Sequence, residues 1–305
     1  MRVIVHGGAG STPDEPEPRQ AVLDEAAEAG SVASTPLDAV EASLNVLEHS
    51  ERFNAGIGGA VQSDGVVRTD AGVMTSDREI GAVSSMAGVE KAISAARVVM
   101  ENTPHVFVSG EHAVDLAAEY GVETGVDLMT EKTRNRYEEE NPPEGGPREH
   151  LDWLQTRFGS GSDQAGGTGN GAGSASKEEA PDHDTVGAVA YDGDTFAAAT
   201  STGGRSFALA GRVGDVPQVG SGFYCGPAGG ASATGAGEDI ARVTLTRRAV
   251  RHMEEGLSAQ AAADRAMDEF GEITGSGAGI IVLDDEGAGS AFNTDGMQTS
   301  VAADF

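Results

Sequence analysis

The apolar run Val3-Ile4-Val5, between Arg2 and His6, predicts a short buried strand at the start of the chain. It leads into His6-Gly7-Gly8-Ala9-Gly10. Glycine-rich turns after strands can cradle phosphate, but this one lacks both the G-x-G-x-x-G spacing and a Walker lysine. A tight turn is therefore predicted here, with His6 as a structural hydrogen-bonding residue. Helical spacing of apolar residues follows from Arg19 to Ala29. Thr35-Pro36 supplies an N-cap and a first-position proline for a second helix, buried through Ala39, Val40, Ala42, Leu44, Val46 and Leu47. After the small-residue loop Phe53–Gly59, strands are predicted within Gly65–Asp77, and a helix over Val89–Glu101. A short strand at His105–Val108 and a helix at Gly110–Tyr120 come next. Thr130–Phe158 is polar and predicts two helical pieces, broken by Pro142-Pro143 and Gly145-Gly146-Pro147.

The pattern then stops. Residues 159–184 are polar and glycine-rich, without hydrophobic periodicity. Such a stretch exceeds the roughly 12–15 structureless residues usual inside a compact domain. It meets a buried-strand pattern, Thr185–Tyr191, at a single threonine. Two readings are open. One is a surface linker entering an ordinary strand. The other is a backbone cut before Thr185, which would give one residue both a hydroxyl nucleophile and a free α-amine. That amine, titrating at about 7.7–8.0, could act as base for its own hydroxyl.

Beyond Thr185 the pattern predicts a hairpin, Thr185–Tyr191 and Thr195–Thr200, turning at Asp192-Gly193-Asp194. Helices at Glu238–Glu255 and Ser258–Phe270 and strands at Gly277–Asp284 and Gly289–Asn293 complete it. The order suits two antiparallel sheets packed together with helices outside, not a parallel βαβ sheet.

Composition narrows the class. The 305 residues carry 20 basic and 49 acidic side chains, a net charge of −29. Such a surface repels nucleic acid and anionic membranes. The acids are dispersed and the only lysines are Lys91, Lys132 and Lys177, a pattern that suits solubility in a salt-rich cytoplasm. Cys225 is the single cysteine, so no intrachain disulfide or cysteine metal cluster can form. No segment reaches the length of a membrane span, and the first apolar run is too short for a signal peptide, so a cytoplasmic location is expected.

Several runs together resemble the plant-type asparaginase and isoaspartyl aminopeptidase family of N-terminal-nucleophile hydrolases, which is related to the glycosylasparaginases. They are His6–Gly10, Phe53–Gly58, Thr69–Ala71, Gly81–Glu101, Thr103–Val106, Thr185–Ala190, Ala199–Gly204, Gly211–Asp215 and Thr234–Glu238. The spacing of Thr-Val-Gly-Ala-Val, Thr-Ser-Thr-Gly-Gly, Gly-Arg-Val-Gly-Asp and Thr-Gly-Ala-Gly-Glu is the specific part of the match. The resemblance implies an α+β fold, a four-layer αββα sandwich of two antiparallel sheets flanked by helices, made as one precursor domain over residues 1–305. It implies self-cleavage between Asp184 and Thr185 into an α subunit (1–184) and a β subunit (185–305), associating as (αβ)2. The implied activity is hydrolysis of L-asparagine to aspartate and ammonia, or removal of β-aspartyl residues from peptides, without a required cofactor.

The same resemblance assigns roles. Thr185 is the implied nucleophile, and its β-branching restricts the hydroxyl rotamer. Thr202 is the second threonine beside it, chosen over Thr200 by the motif. Arg212 and Asp215 are implied partners for the substrate's α-carboxylate and α-ammonium, matching a planar fork to a carboxylate; alone they also read as a surface ion pair. Thr234 and Gly235 resemble an oxyanion hole, Gly237 the wall of the same pocket, and Asn54 a supporting position. The loop before Phe53 resembles one that holds a sodium or potassium ion through backbone carbonyls.

Asp184 departs from the glycine common in asparaginase-type members and matches glycosylasparaginases, which leaves substrate preference open. Asp182, His183 and Asp184 point different ways along an extended chain and make a poor metal site. Three rivals stand beside the main reading: a glycosylasparaginase, a threonine endopeptidase of the same fold, and a non-catalytic acidic binding protein that stays uncut.

Overall fold

A computed structural model describes residues 1–158 and 185–303 of the chain. The stretch 159–184, with Asp182, His183 and Asp184, lies outside the described residues. The first part runs β1 (Arg2–Gly10), α1 (Pro16–Ser31), α2 (Pro36–His49), β2 (Arg68–Thr75), β3 (Ile80–Ala87), α3 (Ala92–Asn102), β4 (Phe107–Ser109), α4 (Glu111–Glu119), α5 (Glu131–Glu140) and α6 (Pro147–Phe158). The second runs β5 (Val186–Tyr191), β6 (Phe196–Thr202), β7 (Phe223–Gly226), β8 (Gly229–Gly235), α7 (Gly237–Val243), α8 (Leu245–Glu254), α9 (Ala259–Thr274), β9 (Ala278–Leu283), β10 (Ala288–Phe292) and β11 (Gly296–Ala303).

These elements form an αββα sandwich. One sheet has the order β11-β1-β5-β6-β2-β3-β4, the other β10-β9-β8-β7. All neighbours are antiparallel except β3 and β4, which run parallel. Strand alternation sends successive side chains to opposite faces. Val3 and Val5 of β1, and Val186, Ala188 and Ala190 of β5, pack with Leu23, Leu44 and Ile93 of the helices. Ile4, Val189 and Phe196 turn the other way and meet Phe223, Ile281 and Leu283 of the second sheet. The far face of that sheet is covered by α7–α9 through Ile240, Leu245, Val250 and Phe270. Burying each such side chain is worth about 1.5–3 kcal/mol relative to exposure.

Several predicted elements change at their ends. His6–Gly10 is not a turn: β1 continues to Gly10, and its pairing with β11 slips between His6 and Ala9. The slip is a bulge, which tolerates glycines that would otherwise weaken a strand. The helix predicted over Glu238–Glu255 is two, because Thr244 adopts φ +53° between α7 and α8. Thr35 caps α2 as predicted, accepting from the Asp38 N–H at 3.1 Å. Among the described residues no helix is long and apolar enough to cross a membrane.

Candidate active site

Alternation fixes the site before any side chain is considered. Since Val186, Ala188 and Ala190 face the helices, Thr185, Gly187 and Val189 face the second sheet. On β6, Thr200 stands opposite Gly187 and Ser201 opposite Val186, so the next step brings Thr202 opposite Thr185. On β2, Asp70 stands opposite Thr202. Thr185, Thr202 and Asp70 therefore form one row across three strands, all buried.

The Thr185 hydroxyl donates to Thr202 Oγ1 at 3.3 Å. Thr202 Oγ1 also accepts from the Gly204 N–H at 3.0 Å and lies 3.4 Å from the Asn54 carbonyl oxygen. Asn54 itself clamps two segments. Its Nδ2 donates to the Gly204 carbonyl at 2.6 Å, its Oδ1 accepts from the Ala60 N–H at 2.7 Å, and its carbonyl accepts from the Gly203 N–H at 2.8 Å. The Asn54 amide is thus committed to the backbone beneath Thr202.

The facing sheet contributes the end of β8. Thr234 is fully buried, and its hydroxyl oxygen accepts from the Ala9 N–H at 3.3 Å. Gly235 holds φ +132°, and a Cβ there would stand 2.6 Å from Ala278 Cα and the Gly277 carbonyl oxygen, so only glycine fits. Gly237 opens α7 against Arg212 and Asp215: a Cβ would come 2.6 Å from Asp215 Oδ1 and 3.0 Å from Arg212 Nη2. The structure thus gathers Arg212, Asp215 and Gly237 into one cluster.

The charges in that cluster are coupled. Arg212 Nε and Nη2 grip Glu238 in a two-point ion pair, each contact 2.8 Å. Burial acts to raise the Glu238 carboxyl, but the Arg212 hydrogen bond and charge hold it below its ordinary value. Burial pushes Asp215 up to about 7, against a backbone hydrogen bond and the Arg212 charge, and its Oδ2 has no partner among the described residues. Burial likewise pushes Asp70 up to about 7, against the Ser85 N–H bond at 2.8 Å and the Arg212 charge, while Asp215 adds to the rise.

Asp70, Glu238 and Glu48 stand beside these residues, and the sequence analysis singled out none of them. Asp70 and Glu238 lay inside the matching runs Thr69–Ala71 and Thr234–Glu238, and an acidic residue in a buried strand was the available signal for the first. Glu48 follows Leu47 on the buried side of α2 and is itself fully buried. Its Oε1 accepts from Ser201 Oγ at 2.6 Å and from the Ile93 N–H at 3.0 Å; burial pushes it up to about 8 against those bonds. It supports β6 from the helix side, between the two threonines that face the other sheet.

A cavity of about 500 Å³ opens beside Asn54, walled by Phe53, Phe207, Arg19, Lys132 and Arg136. None of Thr185, Thr202, Arg212, Asp215 or Thr234 lines it. The hydrogen-bonded row and its facing charges, not this space, define the candidate site. In the loop before it, a Cβ on Gly58 would lie 3.1 Å from both the Glu51 and Phe53 carbonyl oxygens. That close approach, at φ +88°, makes glycine the residue that fits there. Among the described residues no group of three or more His, Cys, Asp or Glu side chains is arranged to hold a metal ion.

Residues 1–304 match the model of the Asparaginase_2 family, described as asparaginase. The chain is 38% identical over 313 residues to the plant-type L-asparaginase of Pyrococcus abyssi (strain GE5 / Orsay), covering 97% of this chain and 94% of that one. It is 36% identical over 297 residues to the isoaspartyl peptidase/L-asparaginase of Bos taurus, covering 93% and 87%. The corresponding protein of Rattus norvegicus is 34% identical over 299 residues, covering 93% and 80%.

Proposed function

Because the chain belongs to the Asparaginase_2 family, we propose that it hydrolyses the side-chain amide of L-asparagine or the isopeptide bond of β-aspartyl peptides, with Thr185 as nucleophile. The observation that carries this reading is the Thr185–Thr202 hydroxyl contact at the mouth of β5 and β6, in a row that ends at buried Asp70. Cleavage of the Asp184–Thr185 bond gives subunits 1–184 and 185–305, which assemble as (αβ)2.

Each step is assigned to groups described above. The substrate α-carboxylate pairs with Arg212, whose Nη1 remains outside the Glu238 grip, and the α-ammonium donates to the unpartnered Asp215 Oδ2. The Thr185 hydroxyl attacks the side-chain carbonyl carbon as the free amine of the same residue takes its proton. The Thr234 hydroxyl and the Gly235 N–H stabilise the resulting oxyanion. The amine's proton passes to the leaving nitrogen, the C–N bond breaks, and ammonia or a peptide amine departs. Water then adds to the acyl ester, giving its proton to the same amine, and aspartate leaves as Thr185 recovers its hydroxyl hydrogen. Thr202 and Asn54 hold the nucleophile's surroundings in place. A sodium or potassium ion on backbone carbonyls of the loop before Phe53, as the family resemblance suggests, would stiffen the approach to Asn54, and it enters no step.

The test is the mass and N-terminal sequence of the purified protein, followed by turnover. Two chains, one starting at Thr185, are expected, and Thr185→Ala abolishes both self-cleavage and release of ammonia. An uncut chain that hydrolyses asparagine overturns the reading. The ratio of turnover on a β-aspartyl dipeptide to that on asparagine then assigns the substrate.

A further inference from the structure

The cavity of about 500 Å³ beside Asn54 has no part in the steps above, yet two of its lining residues border the reacting centre. Gly10 follows Ala9, whose N–H donates to Thr234 Oγ1 at 3.3 Å. Asn54 has its carbonyl oxygen 3.4 Å from Thr202 Oγ1. A space of this size suits a small-molecule site. Ammonia leaving asparagine needs almost none of it.

A β-aspartyl peptide would use it. In such a substrate the α-groups and the leaving nitrogen lie on opposite sides of the attacked carbonyl carbon. The α-groups are assigned to Arg212 and Asp215, and neither lines the cavity. The nitrogen and the residue it carries are then left to extend into the space beside Thr234 and Asn54. Part of that lining, the segment leaving β1 from Gly10 to Glu15, starts on the far side of β5 from the Asp70 end of the row.

The charges lining the cavity say what that residue carries. Lys132 and Arg136 stand four positions apart on α5, on one face, and both line the space. Like charges at that spacing weaken a helix. Neither side chain has a carboxylate within ion-pair distance among the described residues, although the chain holds 49 acidic side chains against 20 basic ones. Arg136 is held over the Phe207 ring, its guanidinium carbon 5.4 Å from the ring centre. The other cations there are engaged: Arg52 pairs with Glu15 at 2.8 Å, and Arg19 donates to the Gly7 carbonyl. Asp14 and Glu51 also line the cavity, and both are exposed. We propose that this cavity is the subsite for the leaving residue, and that Lys132 and Arg136 pair with its free carboxylate. The substrate class it fits is the β-aspartyl dipeptide, which carries that carboxylate one residue beyond the broken bond. Asparagine uses the same nucleophile and leaves the subsite idle.

This inference rests on hydrolysis at Thr185, and the two can fail separately. The probes are β-aspartyl-leucine and its C-terminal amide, with asparagine as the substrate that has no leaving residue. KM for the free acid is expected about tenfold below that for the amide, the scale of one hydrogen-bonded charge pair. Lys132→Gln/Arg136→Gln should raise KM for the acid by about tenfold, with kcat and the amide within about twofold, the signature of a lost binding contact. Its kcat and KM for asparagine should stay at the wild-type values. No residue of α5 is buried, so the fold should survive both changes. Lys132→Glu/Arg136→Glu should go further and prefer the amide. Equal KM for acid and amide in the wild type overturns the proposal, as does a double variant that loses asparagine turnover in step with the dipeptide. A protein that hydrolyses neither substrate ends the reading of Thr185 instead. The subsite is then decided by titrating the unreacted dipeptide and its amide: a Kd about tenfold lower for the acid upholds it, and equal values overturn it.

Discussion

The cleft between the two sheets has a dry end and a wet end, built on the same strands by the same alternation. At the dry end Ile4, Val189, Phe196 and Ala198 of the larger sheet close on Phe223, Ile281 and Leu283. A few residues along the same faces stand His6, Thr185, Thr200, Thr202 and Asp70, opposite Ser232 and Thr234. Strand alternation does not distinguish the ends, although the register slips of β1 and β2 fall at the polar one. Side-chain chemistry does: at one end contacts are interchangeable dispersion, and at the other they are directional hydrogen bonds between named partners. The dry end should therefore tolerate change with a loss of stability alone, while the wet end should lose activity first.

The largest effect is expected where the wet end is tightest. Gly187→Ala puts a methyl group 1.9 Å from Ser232 Oγ and 2.3 Å from His6 Nε2, distances no side chain can share. The overpacking itself costs about 1–3 kcal/mol. It also forces Ser232 and His6 apart next to Thr185, so self-cleavage and kcat should both fall by about 10²-fold or more. A gel time course of cleavage, alongside a melting curve, separates the two losses. A Gly187→Ala protein that melts lower yet cleaves at the wild-type rate would show that the wet end is as forgiving as the dry one.

The second effect is one of pH. Asp70 and Asp215 are both held up to about 7, chiefly by burial. As pH falls through that value Asp215 gains a proton and ceases to accept from the substrate ammonium, so KM for asparagine should rise on the acid side. Two buried carboxylates that repel one another titrate as a coupled pair. Asp70→Asn removes one negative charge, stabilises ionised Asp215, and should move the acid rise in KM to lower pH by about half a unit to one unit. The sign also fixes a stability consequence. A carboxyl whose folded pKa lies above its ordinary value stabilises the fold most below that ordinary value, and the contribution is lost as pH rises through about 7. Asp70→Asn should thus flatten the fall in Tm between about pH 4 and 7. An unmoved KM profile would detach Asp70 from the substrate site.

How much of this was legible beforehand divides along the same line. Helices with a wide apolar stripe, such as α2 behind Thr35, and bulky strands such as β9 could be read directly from periodicity. The strand β8 could not: Gly229-Gly230-Ala231-Ser232-Ala233-Thr234-Gly235 carries no bulky residue, and its partner β7 is only 4 residues long. Its smallness is imposed by the other sheet, since a Cβ on Gly230 would come 2.7 Å from Val189 Cγ1. The same holds for β11, an edge strand of small, half-exposed residues that exists through its pairing with β1. In the site, Thr185 and Thr202 fall on one face by counting along a hairpin. The meeting of His6 with Ser232, 226 positions away, could not be counted. Arg212 and Asp215 were readable from their motif, but the grip of Glu238 on Arg212 required the fold.

The smallest effect belongs to the dry end and is the sharper half of the comparison. Ile4 lies two residues before His6 on the same strand and the same face, and is 2% exposed among hydrocarbon neighbours. Ile4→Val removes one methylene and should cost about 0.5–1.5 kcal/mol, read as a lower denaturation midpoint. The cavity it leaves is surrounded by side chains with no directional partners, so they can relax without moving the His6 ring. Self-cleavage rate, kcat and KM should all match the wild type. If kcat instead fell along with stability, the packing of the dry end would be transmitted along β1 to Thr185. The two ends would then be one mechanical unit, not two regions that happen to share strands.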